Sequence, residues 1–341
     1  MRLALVALAL TCTAAIASSG EGTAVPITAD NFTRAESDGY FAAVVKDAGG
    51  LGKFRHRREV MSIDKQGVIR GNRDTLYSPA VFDLDAGPVT ITLPDAGTRF
   101  RSMIVIDEDQ YTPAVVYKAG RYTYTKESIG TRYLLLALRT LVNPNDPKDV
   151  AQAHALQDAT IIEQPGGPGH FDVPNWDPVS HKKVRDALLV LASTLPNSDR
   201  GFGRRDQVDP VRRLILSASA WGGNPDSEAK YLNVFPAKND GATVHTLNVP
   251  ADVPVDGFWS ISVYNAKGYF EPNALNAYTV NNITATKSAD GSVAVQFGGC
   301  DRNIPNCIPI VKGWNYMVRF YQPRKELLDG HWTFPAAQPL R

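Results

Sequence analysis

The chain has almost no surplus of either charge: 36 Lys and Arg face 35 Asp and Glu across 341 residues. A basic surplus or tail, which binding to nucleic acid or an anionic membrane would require, is therefore missing. Tracts of low complexity are missing too, since the 23 prolines and 27 glycines are spread among apolar segments, and this excludes a disordered chain. No stretch approaches about 18 consecutive apolar residues, so no membrane-spanning helix is expected. Familiar catalytic signatures are absent: there is no G-x-S-x-G, no H-E-x-x-H, no G-x-x-x-x-G-K-[ST], and no G-x-G-x-x-G after a strand. Gly201-Phe202-Gly203 lacks the flanks of a cofactor loop. Neither a cofactor nor a metal site is expected. What remains is a chain long enough to bury a substantial core as two domains or one large β assembly.

The N-terminus reads as a secretory signal. Arg2 supplies a positive start, Leu3 to Leu10 is unbroken apolar sequence, and Ala15-Ile16-Ala17 before Ser18 fits the small-residue cleavage pattern. A signal over residues 1–17 and a mature chain from Ser18 imply a periplasmic or secreted protein. Removal of Arg2 leaves the two charges equal in number, and removal of Cys12 leaves Cys300 and Cys307. Two cysteines across a Gly/Pro/Asn loop in an oxidising compartment read as a local disulfide. A metal site would want His or further Cys in that loop, and a redox pair would use C-x-x-C.

Residues 30–49 read as a helix with apolar Phe32, Ala35, Tyr40, Ala43, Val44 and Ala48, with Asp30 as N-cap and Gly49-Gly50 as the stop. Strands are then expected at Leu76–Leu84, Val89–Leu93, Arg101–Ile106, Ala114–Tyr117, Tyr122–Thr125 and Tyr133–Leu141. Helical patterns return at Asp146–Leu156, Ser180–Leu195 and Asp209–Trp221, with Pro147 and Pro210 suited to first turns. Further strands are expected at Tyr231–Phe235, Thr243–Val249, Phe258–Val263, Val293–Phe297 and Tyr316–Tyr321. Short strands punctuated by Gly, Pro and Asp turns indicate a sandwich, jelly roll or barrel. The expected organisation is an N-terminal β module with a leading helix over 18–165, a helical connector over 166–228, and a C-terminal β module with the cysteine loop over 229–341.

Three clusters carry candidate chemistry. Asp107-Glu108-Asp109-Gln110-Tyr111 follows Met103-Ile104-Val105-Ile106, an apolar run that reads as a strand buried on both faces. Carboxylates at the end of a central strand serve as general acid and base or bind a hard cation. The competing reading is a turn whose Asp side chains bond local N–H groups. Asn72-Arg73-Asp74-Thr75-Leu76-Tyr77 enters a strand; Arg73 suits clamping of a carboxylate or phosphate with Asp74 orienting it, or a structural pair. His154 and Asp158 share a helix face at i and i+4, which either sets a base tautomer or is a structural pair.

The C-terminal half sets aromatics beside donors: Phe258-Trp259-Ser260, Tyr264-Asn265, Trp314-Asn315-Tyr316 and Arg319-Phe320-Tyr321. Flat rings with neighbouring amides and Arg suit sugars or planar ligands, and equally form the core of a β-sandwich.

The motifs around Asn72–Ser78, Asp107–Tyr111 and His154–Asp158 resemble those of the N-terminal module called domain of unknown function 1254. Asp256-Gly257-Phe258-Trp259-Ser260-Ile261-Ser262-Val263-Tyr264-Asn265, Ala289–Ser292, Gly298-Gly299-Cys300, Gly313–Tyr316 and Arg319–Arg324 resemble the partner module, domain of unknown function 1214. The resemblance implies a mainly β protein with helical additions, two jelly-roll-like β-sandwich modules, export, and a tendency to form homo-oligomers. It implies no activity.

Two functions fit these residues. One is an exported hydrolase or lyase on a polar or carbohydrate-like substrate, with Asp107 or Asp109 as acid and base, Arg73 steering an anionic group, and Tyr77 or His154 assisting. The alternative is a non-catalytic periplasmic or surface module that binds a polar or glycan-like ligand or assembles with its own copies. Its ligand contacts would come from Asp74, Tyr77, Tyr111, Trp259, Tyr264, Trp314 and Arg319. The test between them is whether Arg73, Asp107, Asp109 and His154 converge on one pocket.

Overall fold

The computed structural model describes residues 23–301 and 303–340. The expected signal segment, with Cys12 and the cleavage site, lies outside them. The chain divides into two compact units. The first runs to Arg58 and resumes from Thr75 to Pro225; the second takes Glu59–Asp74 and the chain from Asp226 onward.

The first unit opens with α1 (Phe32–Ala48), followed by β1 (Thr75–Asp83), β2 (Val89–Leu93), β3 (Arg101–Asp107), β4 (Ala114–Val116) and β5 (Gly120–Tyr124). A short α2 (Lys126–Ile129) leads to β6 (Tyr133–Leu141), α3 (Pro147–Asp158), β7 (Ile161–Glu163), α4 (Pro178–Ala192) and α5 (Pro210–Ala220). Two antiparallel sheets form, in the orders β1-β6-β3-β4 and β5-β2-β7. One core joins them: Ala80, Phe82, Met103, Val105, Leu134 and Leu136 of the first sheet meet Val89, Ile91 and Leu93 of the second. Alternation along the strands sends Val81, Ile104, Ile106 and Leu135 to the opposite face, where Phe41, Leu51 and Trp221 cover them. Strand β3 is therefore buried along its whole length on both faces, as its apolar run implies.

Asp-Pro pairs start three of these helices. Asp146, Asp177 and Asp209 each accept backbone N–H groups of the first turn, and Pro147, Pro178 and Pro210 occupy first-turn positions where no N–H is needed. Helix α1 departs from the expected cap. Asn31 precedes it in place of Asp30 and makes no side-chain cap bond, because its amide is engaged with Thr28 and Pro26. Helices α4 and α5 group with the first unit because Leu188, Ala192, Ile215 and Ala218 pack with Phe32 and Ala35 of α1.

The second unit contains β8 (Ala229–Val234), β9 (His245–Val249), β10 (Trp259–Tyr264), β11 (Thr279–Asn281), β12 (Val293–Phe297), β13 (Cys307–Ile308) and β14 (Asn315–Tyr321). A one-turn α6 (Lys325–Leu328) and a short β15 (Gln338–Pro339) close it. Its sheets run β11-β10-β14-β8 and β13-β12-β9-β15, with β12 and β13 parallel and the remaining pairs antiparallel. Trp259, Ile261, Val263, Tyr316, Val318 and Phe320 pack against Leu247, Val249, Val293, Val295 and Phe297. The other face of β10 and β14 carries Ser260, Ser262, Tyr264, Met317 and Arg319, all buried. Segment 59–74 belongs here because Met61 and Ile63 pack against Tyr264, Phe270, Tyr278 and Met317.

Cys300 and Cys307 form the expected disulfide, with Cα atoms 5.6 Å apart. Among the described residues no helix is long and apolar enough to cross a membrane.

Candidate functional site

The acidic stretch after β3 folds as a tight turn. Asp107 Oδ1 accepts the N–H groups of Asp109 at 2.9 Å and Tyr111 at 2.8 Å, and Gln110 adopts the left-handed conformation at φ 62°. This is the turn-forming role of aspartate. Burial nevertheless pushes the Asp107 carboxyl up to about 7, against the opposing N–H of Tyr111. Glu108 is buried alongside; its Oε2 accepts Tyr133 N–H at 2.9 Å, and burial raises its pKa as well.

Arginines surround the turn. Arg34 of α1 pairs with Asp109 at 2.8 Å, and Arg213 of α5 donates to the Asp109 carbonyl at 2.5 Å. Arg205 lies 3.8 Å from Asp109, and the Arg205 and Arg213 guanidinium groups stand 4.3 and 4.5 Å from the centre of the Tyr111 ring. Burial works against the Arg34 charge, but Asp109 and Glu108 outweigh it and raise its pKa. One turn along α1, Asp38 accepts Trp176 Nε1–H at 2.8 Å while its other oxygen has no hydrogen-bond partner among the described residues. Burial lifts its carboxyl to about 7. Sequence reasoning missed Arg34 and Asp38. The signal was present, since Asp38 lies three residues from both Ala35 and Phe41 on the buried stripe of α1.

The other expected catalytic residues lie elsewhere. His154 holds the Arg58 carbonyl at 2.7 Å, and Asp158, its expected partner, pairs with the Arg58 guanidinium instead. Tyr77 lies under Arg139, whose guanidinium carbon is 5.5 Å from the ring centre. Arg73 belongs to the second unit, where it donates to the Met61 carbonyl and lies 5.2 Å over Tyr278.

The second unit holds a separate buried polar network. Arg319 donates to Ser262 Oγ and to the carbonyls of Arg70 and Gly71, each at 2.8 Å, and to Tyr264 Oη at 2.6 Å. Burial opposes its charge, but Tyr264, Tyr321 and Asp74 prevail, and its pKa is raised. Asp74 accepts from Asn281 at 3.0 Å and Thr279 at 3.2 Å, leaving one buried oxygen unpartnered among the described residues. Of the expected ligand contacts, Asp74, Tyr264 and Arg319 are thus engaged inside the protein. Trp314 is wholly enclosed in the core, stacked on Phe297 at 5.1 Å.

Trp259 has a different setting. It forms part of a surface groove of about 230 Å³ whose walls include Val253, Val255 and Val293, with Asp252, Asn282, Lys287 and Arg324 supplying polar groups. The groove is held in shape by Arg324, which pairs with Asp256 at 2.8 Å and donates its backbone N–H to the Pro254 carbonyl. Asn282 Oδ1 is buried and has no hydrogen-bond partner among the described residues. Lys287 and Asn282 escaped sequence reasoning because each sits in a polar loop with no motif around it.

Comparison with known families places two matches on the chain. Residues 51–128 match the family described as protein of unknown function (DUF1254), and residues 236–325 match protein of unknown function (DUF1214). No curated protein matches the chain. Among solved structures, the VPA0106 protein from Vibrio parahaemolyticus is similar at 18% identity and a TM-score of 0.72, over 92% of this chain and 98% of that one. An uncharacterised protein from Burkholderia cenocepacia is similar at 12% identity and a TM-score of 0.50, over 91% and 87% of the two chains. At these identities the likeness establishes a shared fold.

Proposed function

For a chain that carries DUF1254 and DUF1214 in N-to-C order, we propose an exported, non-catalytic binding protein that holds a small anionic polar ligand, of the class of a sugar acid, in the groove beside Trp259. The observation that carries this reading is the groove itself: about 230 Å³ bordered by an aromatic residue, the Asn282 amide and the Lys287 ammonium, with Arg324 at its wall paired to Asp252 and Asp256. That volume lies below the roughly 300–1,000 Å³ of drug-sized sites and suits one sugar ring. Asn282 supplies a side-chain amide for a hydroxyl, Lys287 answers a carboxylate, and Trp259 offers an apolar edge. Gly257, Trp259 and Arg324 also belong to the long C-terminal motifs. Export is supported by the signal-like N-terminus and by the disulfide.

Titration calorimetry with glucuronate and glucose tests the site. We expect glucuronate to bind, glucose to bind more weakly, and Lys287→Ala and Asn282→Ala each to weaken glucuronate by about tenfold. Absence of heat with sugar acids, or unchanged affinity in both variants, rules this reading out. Cell fractionation with N-terminal sequencing checks export, with a mature start expected at Ser18.

A second reading rests on Asp107, buried at the end of β3 beside Glu108 and Asp109, where burial pushes its carboxyl up to about 7. A group so poised suits proton transfer in a hydrolase or lyase. Its dependence on Asp107 is read by Asp107→Asn, which would abolish turnover of a polar substrate while leaving the fold intact. The binding reading is preferred because Arg73, Asp109 and His154 each have structural partners, and Arg73 belongs to a different unit from the other two.

A further inference from the structure

Arg101 opens β3 on the face that carries Met103 and Val105. Only 4% of it is exposed. Its Nη2 donates to Thr160 Oγ1 at 2.5 Å, whereas Nε and Nη1 have no hydrogen-bond partner among the described residues. Burial alone draws its pKa down to about 10, and no carboxylate contributes. Directly across the ladder on β6 stands Thr140, fully buried, with its own hydroxyl unpartnered among the described residues. Residues so paired share one sheet face with Cβ atoms about 5 Å apart.

The neighbouring groups are polar but supply no negative charge. On β1, Ser78 Oγ sits 2.8 Å from His56 Nδ1 and accepts from Gln157 of α3 at 3.1 Å. Burial, followed by the charges of Arg58 and Arg101, lowers the His56 pKa; Asp158 acts the other way, but it is already paired with Arg58. A guanidinium enclosed without a counter-charge is strongly disfavoured. Water can accept its hydrogen bonds but cannot neutralise it, whereas an anion does both.

We infer that Arg101 and Thr140 form a buried site for one small monovalent anion, with chloride as its representative, and that His56 senses its occupancy. Arg101 Nε and Nη1 and the Thr140 hydroxyl are the donors. Arg101, Thr140 and Gln157 are all buried, so the occupant is a small ion. A bound anion favours the protonated imidazole and moves the His56 titration upward. This site is independent of the groove in the second unit.

The test compares melting in sodium chloride and sodium gluconate at equal ionic strength. Chloride should raise the midpoint by about 2 °C or more in the wild type and by nothing in Arg101→Met. The His56 midpoint followed by NMR should rise with chloride, and bromide should give an anomalous peak beside Arg101 in crystals. Equal melting in the two salts with no bromide peak overturns the inference, as does a chloride response that survives in Arg101→Met. If that variant does not fold, Thr140→Val and the bromide measurement on the wild type decide in the same way.

Discussion

Asp107 and Tyr111 are bonded twice: Asp107 Oδ1 accepts the Tyr111 N–H at 2.8 Å, and the Tyr111 carbonyl accepts the Asp107 N–H at 3.1 Å. The double link makes Asp107 a structural acceptor at the end of a fully buried strand. The same burial makes its negative charge costly.

That cost sets the pH dependence of stability. In the unfolded chain Asp38 and Asp107 titrate near 3.8; in the folded protein burial holds both at about 7. Between those values the folded state binds more protons, so stability falls as pH rises. The contribution is fully present below about pH 4 and is lost as pH passes through 7. Melting temperature should therefore drop by several degrees from pH 5 to pH 8. Asp107→Asn keeps the Oδ1 acceptor, removes the charge, and should flatten the curve. A melting temperature that climbs across this range would contradict the assignment.

Arg319 is the most demanding charge in the second unit, enclosed and bonded to Ser262, Tyr264 and the carbonyls of Arg70 and Gly71. Truncation leaves those acceptors buried without their donor and removes the positive charge that Asp74 feels. Arg319→Ala should cost about 3–5 kcal/mol in urea unfolding. Arg319→Lys should recover only part of this, because an ammonium cannot reproduce the planar fork. A loss under about 1 kcal/mol would return Arg319 to the set of ligand contacts.

The elements that were legible in the sequence are those with a sustained period. Val89–Leu93, Tyr133–Leu141 and Val293–Phe297 form strands with the expected bounds, and the four long helices start within two residues of the expected positions. Strands β7, β11, β13 and β15 were not legible, because two or three residues carry no periodicity and pair only where tertiary contacts bring a partner; the equally short β4 was visible only as an apolar run between turn signals. The acidic turn could be seen as a cluster, but its raised carboxyls depend on burial in the folded chain, which no local run of sequence displays. The aromatics of the C-terminal half read alike in sequence. Only packing separates Trp314, enclosed between β-sheets, from Trp259, which also borders the groove.

His154 offers a simple discrimination between structural and catalytic roles. Its ring holds the Arg58 carbonyl at 2.7 Å near the surface, and Arg58 reaches back to the His154 carbonyl at 3.2 Å. Loss of one exposed hydrogen bond costs about 1 kcal/mol or less. His154→Ala should therefore unfold at nearly the wild-type urea concentration and bind glucuronate with unchanged affinity. A tenfold loss of binding or turnover would assign the imidazole a chemical role.

The disulfide closes a short loop beside β12, and a second fastening works with it. Asn306 donates to the carbonyls of Thr286 and Ala294 at 2.8 and 3.0 Å and accepts the Thr286 N–H at 2.8 Å. In the chain-entropy model so short a loop contributes about 2–3 kcal/mol. Because Asn306 holds the loop after reduction, the native geometry of β12 and β13 should survive. Cys300→Ser with Cys307→Ser should lower the melting temperature by several degrees without changing the far-ultraviolet circular dichroism of the folded protein. Adding Asn306→Ala should cost more than the sum of the separate losses, since either fastening then no longer covers for the other. Strict additivity in a double-mutant cycle would show that the two act independently.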